Sequence, residues 1–147
     1  MVGTHNVAEK LVDDSKDGYG NPSFSEWYSA YKAVKLGTFK EASAFGEIIL
    51  NATKGVESVN ILKHADSTNL KGKILIDVSN PLDFSKGMPP TLLPELSNIN
   101  SVGEEIQKTF PDTLVVKTLN TMWTGLMVNP LMLGGGDHNA FICGNDS

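Results

Sequence analysis

The sequence has a single cysteine, no cluster of basic residues, and no apolar run long enough to cross a membrane. Cys143 cannot form an internal disulfide, and we expect it to be a buried, unreactive thiol. Together with the lack of a recognisable signal peptide, this favours a cytoplasmic protein. The net charge of −5 and the scattered lysines argue against nucleic acid as a partner, and the composition argues against a membrane.

Metal ligands and catalytic triads are also missing from the pattern. His5, His64 and His138 are far apart and do not have the spacing of metal ligands, so we interpret all three as surface residues. No Ser-His-Asp arrangement can be recognised. The sequence therefore predicts neither a metal site nor a catalytic acid or base.

The 147 residues are enough for one domain, over residues 1–147, and its central stretch runs from Asn69 to Pro90. Within it, Lys73–Val78 is an almost continuous aliphatic run, which is typical of a parallel strand buried on both faces. Asn80 and Pro81 end that strand, because proline cannot donate a ladder hydrogen bond. Ligands bind at the carboxyl ends of the strands in open parallel sheets, so the following loop should border any site.

The rest of the chain alternates between helical and strand patterns, which predicts an α/β fold with a Rossmann-like, doubly wound and mostly parallel sheet. The aromatic residues of the second helix are predicted to pack in the core. Gly37 is predicted to close that helix, and Thr38 to cap the next. The predicted helices cover Met1–Val12, a segment starting at Ser23, Phe39–Phe45, Gly55–Ala65 and Ser101–Phe110, and the other predicted strands are Glu47–Ala52, Leu114–Leu119 and Ala140–Cys143.

Small or amide-bearing residues follow three of the predicted strands: Asn51-Ala52-Thr53, Ser79-Asn80-Pro81 and Asn120-Thr121. Parallel strands that end side by side would present these groups to one crevice, which suits an uncharged or anionic ligand better than a metal. The alternative is that these residues serve only as turn formers, as they do in many α/β domains.

Four segments carry a family resemblance: GTFKEASAFGEIILNAT, NLKGKILIDVSNPLDFSKGMPPTL, SVGEEIQKTFPDTLVVKTLNTM and FICGND. They resemble the NADP-binding domain of the NADPH-dependent coenzyme F-420 reductase family, over residues 37–146. The resemblance implies a Rossmann domain that holds NADP and passes hydride between the nicotinamide and a deazaflavin (coenzyme F-420) or related acceptor. It also implies a homodimer.

The resemblance further implies a set of cofactor-binding residues. Met1, Val2 and Gly3 match the tail of the family's glycine-rich turn, with Gly3 as the glycine that lets a helix approach closely. The remaining residues divide between two parts of the cofactor. Asn51, Ala52 and Thr53 would lie along the pyrophosphate and ribose, and Asn80, Pro81, Asn120 and Thr121 near the nicotinamide. Self-capping of a turn is the alternative role for Asn80 and Asn120.

The sequence departs from the family pattern in two places. The first strand and the first two glycines of the motif have no counterpart, so we expect two strand edges to lack a partner. A second strand ending in a Ser-Arg pair, which grips the 2′-phosphate in the family, is replaced by Asp13–Asn21, where only Lys16 is basic. The resemblance thus describes a chain truncated at both ends, lacking the first strand and the second. The alternative function is an inactive nucleotide-binding or assembly module.

Overall fold

The computed structural model describes residues 1–16 and 20–145 and has an α/β architecture. The strands are β1 (Val2–Thr4), β2 (Leu36–Thr38), β3 (Ile48–Asn51), β4 (Ile74–Asp77), β5 (Leu82–Asp83), β6 (Thr91–Leu92), β7 (Leu114–Thr118) and β8 (Ile142–Gly144). The helices are α1 (Val7–Leu11), α2 (Phe24–Ala30), α3 (Phe39–Phe45), α4 (Ser58–His64), α5 (Ser67–Leu70), α6 (Val102–Thr109) and α7 (Thr124–Val128). Within the described residues, no helix has the length and apolar character needed to span a bilayer.

The main sheet has the strand order β3-β4-β7-β8. The first three strands are parallel, and β8 is antiparallel to β7. Their register aligns Asn51 with Asp77 and Asp77 with Lys117, so the three parallel strands end at the same level. The four predicted strands of this sheet are confirmed, as are the helices now seen as α4 and α6.

One face of this sheet carries the hydrophobic core. Leu75 is fully buried in the middle of β4 and packs in a cluster with Val115 of β7, Leu62 of α4 and Ile106 of α6. The opposite face is open, since Leu50 on β3 is 63% exposed. The prediction that the central strand is buried on both faces is therefore wrong, because both packed helices lie on the same side.

The N-terminal segment is not a single helix. β1 pairs in parallel with β2, with Gly3 opposite Gly37, and the first helix starts only after Asn6, whose side chain accepts hydrogen bonds from the first turn. The helix predicted over Met1–Val12 is therefore wrong in its first half. Gly37 lies within β2 and does not close a helix, because α2 ends at Ala30. A three-residue strand is stabilised by a distant partner, which local periodicity does not reveal.

Hydroxyl side chains cap the starts of α2, α3 and α6, and Thr38 does so as predicted. Ser23 and Glu26 form a capping box at α2, and Thr38 and Glu41 form another at α3. Ser101 caps α6 by accepting a hydrogen bond from a backbone N–H of the first turn. Each cap satisfies backbone donors that have no partner inside the helix.

The aromatic residues of α2 pack against one another and not in the core. No residue of α2 is buried. The Phe24 ring lies 5.6 Å from that of Trp27 and 5.8 Å from that of Tyr28, and the Lys10 ammonium lies 4.7 Å from its centroid. The predicted core role of these rings is wrong, because α2 packs on the short helix α1 and away from the main sheet.

Two single-residue predictions also need correction. Cys143 is exposed, because it lies on β8 at the edge of the sheet. His138 is half-buried, whereas His5 and His64 are exposed as predicted. The fold also brings those two histidines together, with ring centroids 5.1 Å apart.

Candidate functional site

A polar layer lies where the three parallel strands end. Asn51, Asp77 and Lys117 are neighbours in the register of β3, β4 and β7. They follow the apolar layer formed by Ile49 and Leu75. Polar groups at this end of a parallel sheet are in the position where ligands bind in open α/β folds.

Asp77 is the centre of this layer and is completely buried. Its Oδ1 accepts hydrogen bonds from the Asn51 amide at 2.9 Å, the Ser79 hydroxyl at 2.7 Å and the Ser79 backbone N–H at 3.1 Å. Its Oδ2 accepts from the Lys117 ammonium at 2.7 Å. A buried carboxylate is tolerated only when it is paired and hydrogen-bonded in this way.

Asn51 links Asp77 to the loop that follows β3. Its side-chain amide also donates to Ser58 Oγ at 3.1 Å, and its Oδ1 accepts from Thr53 Oγ1 at 2.7 Å. Asn51 is only 2% exposed. Its side chain therefore fixes the loop, in which Ala52 is exposed and Thr53 is half-buried.

The loops after β4 and β7 are joined by Asn80. Its side-chain amide donates to the backbone carbonyl of Asn120 at 2.6 Å, so it bridges two loops and does not cap its own turn. The Asn80 carbonyl accepts from the Gly55 N–H at 3.1 Å. A Cβ on Gly55 would lie 2.4 Å from that carbonyl oxygen, so only glycine permits this approach.

The residues predicted to bind the cofactor fall into two adjoining groups. Met1, Val2, Gly3, Asn51, Ala52 and Thr53 all line one cavity of about 540 Å³. The Asn80 side chain bridges the loops that carry the second group, Asn80, Pro81, Asn120 and Thr121. The bond between Asn51 and Asp77, and those between Asp77 and Ser79, join the two groups.

Met1, Val2 and Gly3, which the resemblance places at the tail of a glycine-rich turn, lie at the start of the chain, where Val2 and Gly3 belong to β1 and Met1 precedes it. Gly3 lies within a strand, and a Cβ there would come within 2.9 Å of the Phe39 ring and 3.1 Å of Ala42 Cβ. Glycine at this position does allow close helix packing, but the helix is α3 and not the first helix of a dinucleotide motif. The cavity lies between β1 and β3, with α3 and α4 completing its walls.

The lining of the cavity is mostly apolar, with a few polar groups. Its walls include Phe39, Phe45 and Leu62, which suit a planar ring, and the Thr53 hydroxyl, which donates to Asn51 Oδ1, keeps acceptor capacity for a sugar hydroxyl. Neither lysine nor histidine lines the cavity among the described residues, and the sequence contains no arginine. A lysine that contacts an anionic ligand in this cavity would therefore have to reach it from outside the walls.

Two lysines, Lys54 and Lys16, are candidates for contact with an anionic ligand. Lys54 is exposed and directly follows Thr53, at the mouth of the loop after β3. Lys16, the only basic residue that the sequence offered for the 2′-phosphate, is paired with Glu26 at 3.3 Å. Part of its surrounding segment, residues 17–19, lies outside the described residues.

Asp77 and Lys117 were not singled out from the sequence. A signal was present, since each is the lone charged residue at the carboxyl end of an aliphatic strand, in ILID and VVK. Charged residues are seldom buried unless they are paired. Their pairing depends on the register between β4 and β7, which the sequence pattern does not show.

The order and direction of β3, β4 and β7, with α4 and α6 on one face and polar residues at the strand ends, define a Rossmann-like α/β domain. No family model and no curated protein matches the chain. Solved structures do match. A protein from Arthrobacter sp. FB24, provisionally assigned as an F420-dependent NADP-reductase, shares 47% identity and a TM-score of 0.86 over 99% of this chain.

The chain is therefore similar to an F420-dependent NADP-reductase, and it spans 62% of the length of that relative. A second similar structure is the hypothetical protein SMa0349 from Sinorhizobium meliloti. It shares 25% identity and a TM-score of 0.62, over 84% of this chain and 57% of its own.

Proposed function

We propose that this chain is the nucleotide-binding part of an NADP-dependent oxidoreductase, which passes hydride between NADPH and a deazaflavin acceptor such as coenzyme F-420. The similarity to a solved F420-dependent NADP-reductase supports the reaction class. The observation that carries the proposal is the single hydrogen-bonded network that joins the ends of β3, β4 and β7 around Asp77.

In this proposal the cofactor lies across the three strand ends. The pyrophosphate and ribose follow the loop Asn51–Thr53, beside the cavity that also includes Met1, Val2 and Gly3. The nicotinamide end reaches the loops that carry Asn80 and Pro81, and Asn120 and Thr121. These loops are joined by the 2.6 Å bond between the Asn80 amide and the Asn120 carbonyl, which supports a common surface for one ligand.

The chain's own residues bind and orient, and the bound nicotinamide supplies the hydride chemistry. Apolar walls such as Phe39 and Leu62 exclude water from a ring held in the cavity. The bridging amide of Asn80 holds two loops at a fixed separation, which sets where a ring above them can lie. No side chain needs to transfer a proton in this scheme.

Lys54 is our candidate for the phosphate contact. It is exposed, follows Thr53 directly, and lies close in sequence to the cavity wall. A lysine binds phosphate as a point charge, so the contact should weaken as salt screens it.

Titration with NADPH, followed by nicotinamide fluorescence, tests the proposal. We expect saturation in the micromolar range and weaker, less salt-dependent binding for Lys54→Met. Lys63→Met is the matched control, because Lys63 is an exposed lysine in the last turn of α4 and should leave binding unchanged. A flat response of the wild type at millimolar NADPH would favour the alternative, an inactive nucleotide-binding or assembly module.

Two further expectations stay predictions. Light scattering after size-exclusion chromatography tests whether the chain forms a homodimer. Fractionation of cells that express it tests the cytoplasmic location.

A further inference from the structure

We infer that Asp77 is a positioning residue that holds the two predicted cofactor loops, residues 51–53 and 79–81, in one arrangement. The inference rests on the proposed function for its binding readout, because the loops matter only if a cofactor contacts them. It goes beyond that function by assigning the placement of both loops to one buried carboxylate.

The contacts of Asp77 support this assignment. One oxygen, Oδ1, accepts from the Asn51 amide in one loop and from the backbone and hydroxyl of Ser79 in the other. Asn51 in turn holds Thr53, since the Asn51 Oδ1 accepts a hydrogen bond from the Thr53 hydroxyl at 2.7 Å. A shift of the carboxylate would therefore move both loops together.

Lys117 completes the arrangement from the third strand. Its ammonium donates to Asp77 Oδ2 and to the backbone carbonyl of Ser79, and its side chain is 14% exposed. A well-packed apolar pair could stabilise a sheet interior as well as a buried ion pair does. At these positions, however, the hydrogen-bond partners of the pair lie at a strand end or in one of the two loops, which fits a role in placing them.

Asp77→Asn tests the inference with little change in volume. Asparagine has only one acceptor oxygen, so its amide group must face either the Lys117 ammonium or the donors of Ser79. If the amide group faces Asn51 and Ser79, a donor meets the donors of both loops, and both lose their anchor. If it faces Lys117, it repels the ammonium that also holds the Ser79 carbonyl. Ile106→Ala is the matched control, because Ile106 is fully buried in the core and distant in sequence from both loops.

Two measurements are made on each full-length variant under conditions where it stays folded: the Kd for NADPH and the amide hydrogen exchange of Thr53 and Ser79. For Asp77→Asn we expect a roughly tenfold rise in Kd, which corresponds to about one lost hydrogen bond to the ligand. We also expect faster exchange at both amides. Ile106→Ala should lower the melting temperature and leave Kd and the two amides unchanged.

Ser79→Ala is a milder variant, should Asp77→Asn fail to fold. It removes only the hydroxyl that donates to Asp77, and it should speed exchange of the backbone amide at position 79 and raise Kd by a smaller factor. Unchanged exchange at residues 53 and 79 in both variants would overturn the inference, and so would an equal loss of binding in Ile106→Ala. If the wild type binds no NADPH, the proposed function fails, and the exchange comparison still decides whether Asp77 places the loops.

Discussion

Because the described helices cover only one face of the main sheet, Leu→Ala should cost much more stability on the covered face than on the open face. Leu75 is fully buried on the covered face, and Leu50 is 63% exposed on the open face. Leu→Ala removes the same atoms at each position. Any difference in the loss of unfolding free energy therefore shows how well each face of the sheet is covered. The pair is a matched perturbation because the chemistry is held constant.

The magnitudes follow from burial. Removing three carbons from a buried leucine costs about 2.4 kcal/mol in transfer free energy, and the cavity left behind brings the total for Leu75→Ala to about 3–5 kcal/mol. About a third of that transfer term applies to Leu50, so Leu50→Ala should cost about 0.9 kcal/mol with no cavity. The expected drops in melting temperature are roughly 6–20 °C for Leu75→Ala and roughly 2–4 °C for Leu50→Ala.

Urea unfolding followed by circular dichroism measures both costs. We expect the midpoint to fall strongly for Leu75→Ala and slightly for Leu50→Ala, with the slope m unchanged in both. Equal losses in the two variants would show that the outer face of β3 is covered too, and would refute the one-sided sheet.

Three further predictions concern charge and capping. Lys117→Met should cost about 3–5 kcal/mol in unfolding free energy, because it leaves a buried carboxylate without its countercharge, whereas Lys71→Met at an exposed ion pair should cost less than about 1 kcal/mol. Hydrogen bonds from Lys10, and then from Ser15, lower the pKa of Asp13 from 3.8 to about 2, so its stabilisation is complete above about pH 4 and is lost as the pH falls toward 2. A carboxyl NMR titration should find that midpoint, and a value near 3.8 would contradict the contacts. Thr38→Ala removes the cap of α3 and should cost about 1 kcal/mol by urea unfolding, while no change would show that the cap is not formed in solution.

The features predicted correctly from the sequence are those that depend on nearby residues. The predicted cap of α3 depends on the Thr38 hydroxyl, which accepts from the backbone N–H of Glu41 three positions later. The end of β4 depends on Pro81, and the amides after the strands depend on turn chemistry. These local rules were sufficient to predict which segments form the strands of the main sheet.

The missed features depend on distant partners. β1 is stabilised by a strand more than thirty residues away, with Val2 opposite Leu36, and nothing in its three residues distinguishes it from a helix start. Whether a strand is covered on one face or two depends on where its helices pack. The pairing of Asp77 with Lys117 likewise required the register between β4 and β7.

The most direct test of the central claim is a ¹H–¹⁵N correlation spectrum of the chain recorded during titration with NADPH. Three parallel strand ends that form one nucleotide site predict saturable shifts at residues 51–53, 79–80 and 120–121, with a common dissociation constant. Shifts confined to the groove at the other end of the sheet, around Thr109 and Thr113, or no shifts at millimolar NADPH, would contradict it.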